Sequence, residues 1–324
     1  MLHIYRMENQ RPATLKQHSI RQYLPLQWQY ADEFVEWKNS SILAPYKAIS
    51  SYINCSHCMI QKNERIGETM RREFCHNHTV RYDEGNCHAI LTPAAFLRYM
   101  QDIAALDAED AQLGGDGLWV VKRTVISFTA PVPVHTRLIL KTFGLGFSRI
   151  TAHRGYEAYR ADAPESDPLI VARTLWVYLD ARGRPTRLPE RTADIWLPDE
   201  PRPPLSEPPL PAPPDYAPEI STATVPFSAI DQAGHLNNAA AVEILDDAAW
   251  QHWASKGLTP VSTRLDPVYY DIEYGDSPLF GETLTIQSWL TPFEADEQPL
   301  NRIQYIMRGE KVAVRAHSRW LPRL

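Results

Sequence analysis

The feature that most limits what this chain can fold into is an internal repeat. Twice, a strand-like run leads into a polar turn, the turn opens a long helix, and four strand-like runs follow. In the first pass the strand and turn occupy 75–86, the helix opens at Thr92-Pro93 and runs to 113, and strand-like runs cover 118–129, 136–143, 150–160 and 169–180. In the second pass the strand covers 220–230, the turn 231–236 and the helix 238–256, and the runs lie at 269–274, 283–290, 302–308 and 311–320. The runs are rich in Val, Ile, Thr and aromatic residues and are bounded by turn residues, as strands are. Asp83 and His88 flank the first turn as Asp231 and His235 flank the second. Thr174-Leu-Trp176-Val closes the first half as Ser318-Arg-Trp320-Leu closes the second. This order predicts an α+β fold in which each half curls an antiparallel sheet around its own apolar helix.

Both helices carry start signals. Thr92 is an N-cap with proline at the first helical position. Phe96, Leu97, Met100, Ile103, Ala104 and Ala105 then make the helix apolar almost all round, which predicts burial and places Leu97 in the core. In the second half Asn237 or Asn238 caps the helix, Leu245 is expected to be central and buried, and Gly257 is the stop. The turn Asp231-Gln-Ala-Gly-His235-Leu-Asn237-Asn238 is the candidate reaction centre. A helix N-terminus offers unpaired N–H donors and partial positive charge to an oxyanion or a thioester carbonyl. On the residues alone, a capped helix behind a polar loop explains the same pattern.

Residues 189–218 hold 11 of the 27 prolines without a collagen-like period, which predicts an extended linker or a strap over the surface. A ligand for an SH3-type module is the alternative reading of that segment. The expected division is therefore an N-terminal extension at 1–73, one half at 74–188, the proline-rich linker at 189–218 and a second half at 219–324. Residues 1–70 lack periodicity and are expected to be dispensable for folding. They contain Cys55-Ser-His57-Cys58, which with Cys75, His76, His78, Cys87 and His88 raises a zinc site as a lesser reading. The spacing fits no familiar finger, and neighbouring residues on a strand point to opposite faces, so the expectation is no metal and no cofactor.

A net charge of −6 excludes a chain that binds nucleic acid through its overall charge. Four cysteines do not make a disulfide scaffold. No stretch reaches the roughly 18 apolar residues of a membrane span, and a cytoplasmic location is expected.

The repeat, together with Leu97-Arg-Tyr-Met-Gln101-Asp-Ile-Ala104, Trp119-Val-Val-Lys122-Arg123, Arg154-Gly-Tyr-Glu157, Ala172-Arg-Thr-Leu-Trp176-Val-Tyr-Leu-Asp180, the 231–238 turn and Tyr270-Asp-Ile-Glu273, resembles the acyl-acyl carrier protein thioesterases of plants and bacteria. The resemblance spans about 74–324. It implies a tandem, or double, hot-dog fold and hydrolysis of fatty acyl thioesters on acyl carrier protein, the first half holding the acyl chain and the second the catalytic groups. Asp231, His235 and Glu273 match the family's catalytic positions, but Ala233 stands where the family has Asn and Tyr274 where it often has Cys. With no thiol there, the implied nucleophile is water. Glu273 would be the general base, His235 would position the water or protonate the thiolate, and Asp231 would orient the His. Backbone N–H groups of Asn237 and Asn238 would hold the oxyanion, and Gln232 would replace the missing amide.

An acidic carrier implies a basic docking patch, with Lys122, Arg123, Arg149 and Arg154, then Arg182, Arg184 and Arg187, as candidates. The rival readings are an acyl-coenzyme A thioesterase, a dehydratase using Asp102 or Glu243 on a helix, or a non-enzymatic acyl-binding protein. A homodimer is left open.

Overall fold

The computed structural model describes residues 71–113, 117–198, 203–291 and 299–323. The expectations for residues 1–70, the Cys55–Cys58 pair among them, fall outside those residues. The elements in chain order are β1 (Glu73–Thr79), α1 (Pro93–Asp110), β2 (Leu118–Phe128), β3 (Arg137–Phe147), β4 (Thr151–Arg160), β5 (Ile170–Leu179), α2 (Thr192–Trp196), β6 (Glu219–Thr224), α3 (Asn238–Ser255), β7 (Arg264–Tyr274), β8 (Thr283–Leu290), β9 (Leu300–Arg308) and β10 (Lys311–Arg323). All ten strands join one antiparallel sheet in the order β1-β3-β4-β5-β2-β7-β10-β9-β8-β6. Each half has the same internal order: first, third, fourth, fifth and second strand of its own five. The halves meet where their second strands, β2 and β7, pair Arg123 with Glu273 and Ile126 with Tyr270. The fold is α+β, and the repeat expected from the sequence is present in its topology.

The two long helices pack against each other and against the same face of the sheet, and their apolar residues form one continuous core. Leu97 is 3% exposed and Leu245 1%, so both helices are central. Truncating either leucine to alanine would cost about 2–5 kcal/mol, the usual range for a core cavity. No helix among the described residues is long and apolar enough to cross a membrane.

Two expectations about the repeat need correction. The strand expected at 220–230 stops at Thr224, because Pro226 cannot donate to the ladder and instead opens a 3-10 turn at Phe227–Ala229. The register of the repeat also differs. The matching turns are Tyr82–Glu84 and Phe227–Ala229, and the matching bridges are Gly85 with Leu91 and Ile230 with Leu236. Asn86 N donates to Ile90 O as Asp231 N donates to His235 O. The residues equivalent to Asp231 and His235 are therefore Asn86 and Ile90, not Asp83 and His88. The first half keeps the turn and lacks both ionisable groups.

The first half continues past residue 188. In α2, buried Trp196 donates its indole N–H to Asp107 of α1 at 2.7 Å. The proline-rich segment then lies along the sheet face opposite the helices, as a strap. Arg123 Nη2 donates to Pro208 O at 2.7 Å, Leu205 N donates to His153 Nδ1 at 3.0 Å, and Glu207 pairs with Arg173.

His153 therefore accepts a backbone hydrogen bond through Nδ1, and burial pushes its pKa down to about 4. Protonation would put a hydrogen on Nδ1, facing the Leu205 N–H. A histidine that is neutral when folded contributes stability fully above its unfolded pKa of about 6.5 and loses it as pH falls toward 4. Urea unfolding between pH 7 and pH 4 is expected to fall more steeply for the wild-type chain than for His153→Gln, whose side-chain oxygen can accept the same N–H without titrating. Equal slopes would show that the strap is not held by a neutral His153.

Candidate active site

The turn that opens α3 is built by its own backbone. Asp231 N donates to His235 O and Gly234 N to Asp231 O, both at 3.0 Å, and Ala233 N donates to Asp231 Oδ1 at 2.9 Å. Gly234 sits at φ +80, a left-handed conformation that costs a side-chain-bearing residue roughly 1–2 kcal/mol. Asn237 then caps α3, its Oδ1 accepting from Ala239 N at 2.8 Å.

The turn forms one wall of an open cleft of about 160 Å3. Asp231, Ala233, His235 and Asn238 line it from the second half. Leu118, Trp119 and Val121 of β2, Trp176 of β5 and Gln101 of α1 line it from the first, and Tyr274 to Pro278 close it. A second, apolar pocket of about 10 Å3, room for a single water, lies inside the first half, walled by Leu97, Met100, Tyr156 and Thr174. It shares Gln101, Val121, Trp176 and Asn238 with the cleft, so the two adjoin across those residues.

His235 Nδ1 lies 3.3 Å from Leu236 O and 3.7 Å from Asp231 Oδ1. A carbonyl only accepts, so Nδ1 carries the proton and Nε2 is left with a free lone pair. The imidazole is thus oriented with Nε2 unencumbered, beside the Asp231 carboxylate.

Glu273 does not join them. Along β7, Tyr270, Ile272 and Tyr274 face the helices, and the Tyr274 hydroxyl donates to Asn238 O at 3.4 Å. Residues between them face the other way, because side chains alternate along a strand. Glu273 accordingly pairs with Arg123 at 3.4 Å on the strap side of the sheet and is not part of the cleft lining. The expected convergence of Asp231, His235 and Glu273 is corrected to Asp231 and His235 alone. Gln232 is exposed and outside the lining, so it does not replace the missing amide. Asn237 N donates to Ala229 O at 2.8 Å and is already occupied, whereas Asn238 N has no partner among the described residues.

The basic candidates divide in the same way. Arg123 is 6% exposed and bonded to both oxygens of Asp271 at 2.8 and 2.7 Å. Arg154 pairs with buried Asp107 of α1, and Lys122 donates to Tyr274 O at 3.0 Å. These three are structural. Arg149, Arg182, Arg184 and Arg187 are exposed. Leu188 N donates to Arg149 O, and the 182–187 turn follows β5, whose Leu179 pairs with Leu118 at the cleft mouth. Asp102 is exposed, Glu243 pairs with Arg98 at 2.8 Å, and neither lines the cleft.

Asp276 lines the cleft and was not expected there. Its Oδ1 accepts from Ser277 N at 2.8 Å and pairs with Arg308 at 3.3 Å, which leaves it holding the loop after β7. Among the described residues no group of three or more His, Cys, Asp or Glu could hold a metal ion.

No protein-family model matches the sequence, and no curated protein matches it. Solved structures do. A Lactobacillus plantarum protein provisionally assigned as an oleoyl thioesterase superposes with a TM-score of 0.64 at 17% identity, over 78% of this chain and 96% of its own. An acyl-ACP thioesterase from Bacteroides thetaiotaomicron gives 0.60 at 16% identity over 76% and 97%, respectively. The 12:0-ACP thioesterase from Umbellularia californica gives 0.61 at 16% identity over 78% and 94%. Across the length from β1 to β10, this chain has the fold of the acyl-acyl carrier protein thioesterases.

Proposed function

We propose that the protein is a thioesterase of tandem hot-dog architecture that hydrolyses fatty acyl thioesters carried on acyl carrier protein in the cytoplasm. The observation that carries this reading is the pairing of Asp231 with His235 at the start of α3, in a cleft walled by both halves. The cleft adjoins a small apolar pocket under α1, and in this reading the acyl chain enters there by parting the side chains between the two while its carrier stays outside. The first half holds the chain and the second supplies the ionisable groups.

His235 Nε2 takes a proton from water, and the water oxygen attacks the thioester carbonyl carbon. The tetrahedral oxyanion collapses, the C–S bond breaks, and the protonated His235 returns its proton to the thiolate. The products are a fatty acid and the free carrier thiol. Asp231 holds the imidazole and offsets its charge while it is protonated. Asn238 N, at the start of α3, is a donor for the oxyanion. A dehydratase reading is disfavoured by the placement of Asp102 and Glu243, neither of which lines the cleft.

Turnover of C8 to C18 acyl thioesters on acyl carrier protein and on coenzyme A tests the reading. Hydrolysis of the protein-carried set with the higher kcat/KM is expected, and absence of hydrolysis throughout the panel would overturn it. For docking we take the exposed Arg149, Arg182, Arg184 and Arg187 cluster. Reversing Arg182, Arg184 and Arg187 to Glu is expected to raise KM for the protein-carried substrate about 10-fold and to leave KM for coenzyme A thioesters within about threefold, since lost rim charges mainly slow encounter. Equal effects on both carriers would remove the patch.

A further inference from the structure

We infer that Gln101 of α1 is a catalytic residue, its side-chain N–H group forming an oxyanion hole with Asn238 N. The inference rests on the thioesterase reading and extends it to the first half of the chain, to a residue for which the sequence suggested no role. Gln101 and Asn238 are two of the four residues shared by the cleft and the apolar pocket, the others being Val121 and Trp176. That junction is where a carbonyl must lie if its acyl chain enters the first half at the apolar pocket, parting its walls, and its sulfur faces the mouth. Of these four, Gln101 brings a side-chain N–H group and Asn238 a helix-end N–H without a partner among the described residues, whereas the Trp176 indole N–H is taken by Thr174.

The orientation of the Gln101 amide is set by a chain of bonds from the helix end. Ala239 N must be capped, so Asn237 turns its Oδ1 toward it at 2.8 Å. Asn237 Nδ2 is thereby directed at Gln101, which meets it with Oε1 at 3.2 Å. Gln101 is left with Nε2 uncommitted, two donors next to the substrate path. The cap of α3 thus fixes an amide on α1, and one donor for the oxyanion comes from each half of the repeat. The equivalent of Gln101 in α3 is Asp246, engaged with Tyr270 and Arg302, so the arrangement occurs once.

The test uses the full chain and dodecanoyl thioesters of acyl carrier protein and coenzyme A. Gln101→Glu still accepts from Asn237 but has no proton to donate when ionised, and Gln101→Met removes the amide without adding charge. Both are expected to lower kcat about 10²–10³-fold, as loss of one oxyanion donor does, with KM within about threefold. Asn237→Ser keeps a capping oxygen but frees the Gln101 amide to turn, and an intermediate loss of about 10-fold is expected. Thermal melting of each variant within a few degrees of wild type separates this from unfolding. A wild-type chain that turns over neither substrate overturns the thioesterase reading itself. A wild type that turns them over while folded Gln101→Glu and Gln101→Met keep kcat within about threefold overturns the role of Gln101 alone.

Discussion

His235→Ala is expected to lower kcat for acyl thioester hydrolysis by about 10²–10⁴-fold, the range for removing a general acid–base group. One residue both accepts the proton of the attacking water and returns it to the leaving thiolate in the proposed reaction, and among the described residues no second histidine lines the cleft. Asp276 is tied to Arg308 and to a backbone N–H. Asp231→Asn keeps an oxygen for Ala233 N and so keeps the turn, losing only the charge that offsets protonated His235; a smaller fall, about 10-fold, is expected. Glu273→Gln is the decisive control. Glu273 lies on the strap side of β7 against Arg123, so its activity should stay within a few-fold of wild type. Steady-state kinetics on one acyl-carrier substrate separates the three variants. A loss at Glu273→Gln as large as at His235→Ala would mean that β7 or its bulged neighbour rearranges when substrate binds, and the reading of His235 as sole base would be abandoned.

What the sequence made legible was governed by short-range rules. The N-cap at Thr92, the cap at Asn237, the glycine stop at Gly257 (φ +88) and the buried faces carrying Leu97 and Leu245 each follow from a few neighbouring residues. The repeat of strand, helix and strands needed only those signals taken twice. Its register was missed because Asp83 and His88 are conspicuous ionisable residues, whereas the true equivalents, Asn86 and Ile90, are recognised through backbone hydrogen bonds.

The site was less legible because facing depends on parity, and parity can be reset. Trp119 and Val121 line the cleft, and so would Arg123 if β2 alternated regularly. The register of β2 against β5 shifts between Val121 and Arg123, so Lys122 is an extra residue and Arg123 turns to the opposite face. A basic residue expected to meet a carrier becomes the buried partner of Asp271, Glu273 and Pro208 O. Glu273 was misplaced for a related reason: Tyr274, the residue beside it, takes the inward position. Gln101 was in view within a quoted motif, but its importance lies in a contact 136 residues away along the chain, with Asn237.

Asp246→Ala is expected to destabilise the protein by about 3–5 kcal/mol, the cost of leaving one member of a buried ion pair alone. The other member, Arg302, is 1% exposed. Its Nη2 donates to Asp246 Oδ1 at 2.6 Å and to the Tyr270 hydroxyl at 2.7 Å, its Nε donates to Ser318 at 2.8 Å, and its guanidinium lies 4.6 Å from the Trp320 ring centre. Nη1 has no partner among the described residues, so the arginine depends on Asp246 and the surrounding rings for compensation. Coulomb attraction between buried charges is largely offset by their desolvation, and a packed apolar pair is often no worse. Asp246→Leu combined with Arg302→Met should therefore recover most of the loss, ending within about 1–2 kcal/mol of wild type despite the abandoned Tyr270 and Ser318 hydrogen bonds, which are worth about 1 kcal/mol each. Urea unfolding of the single and double variants measures the difference directly. A double variant as unstable as Asp246→Ala would show that the hydrogen-bonded network itself, rather than an unpaired charge, determines the loss, and that the core of the second half cannot close over an apolar replacement.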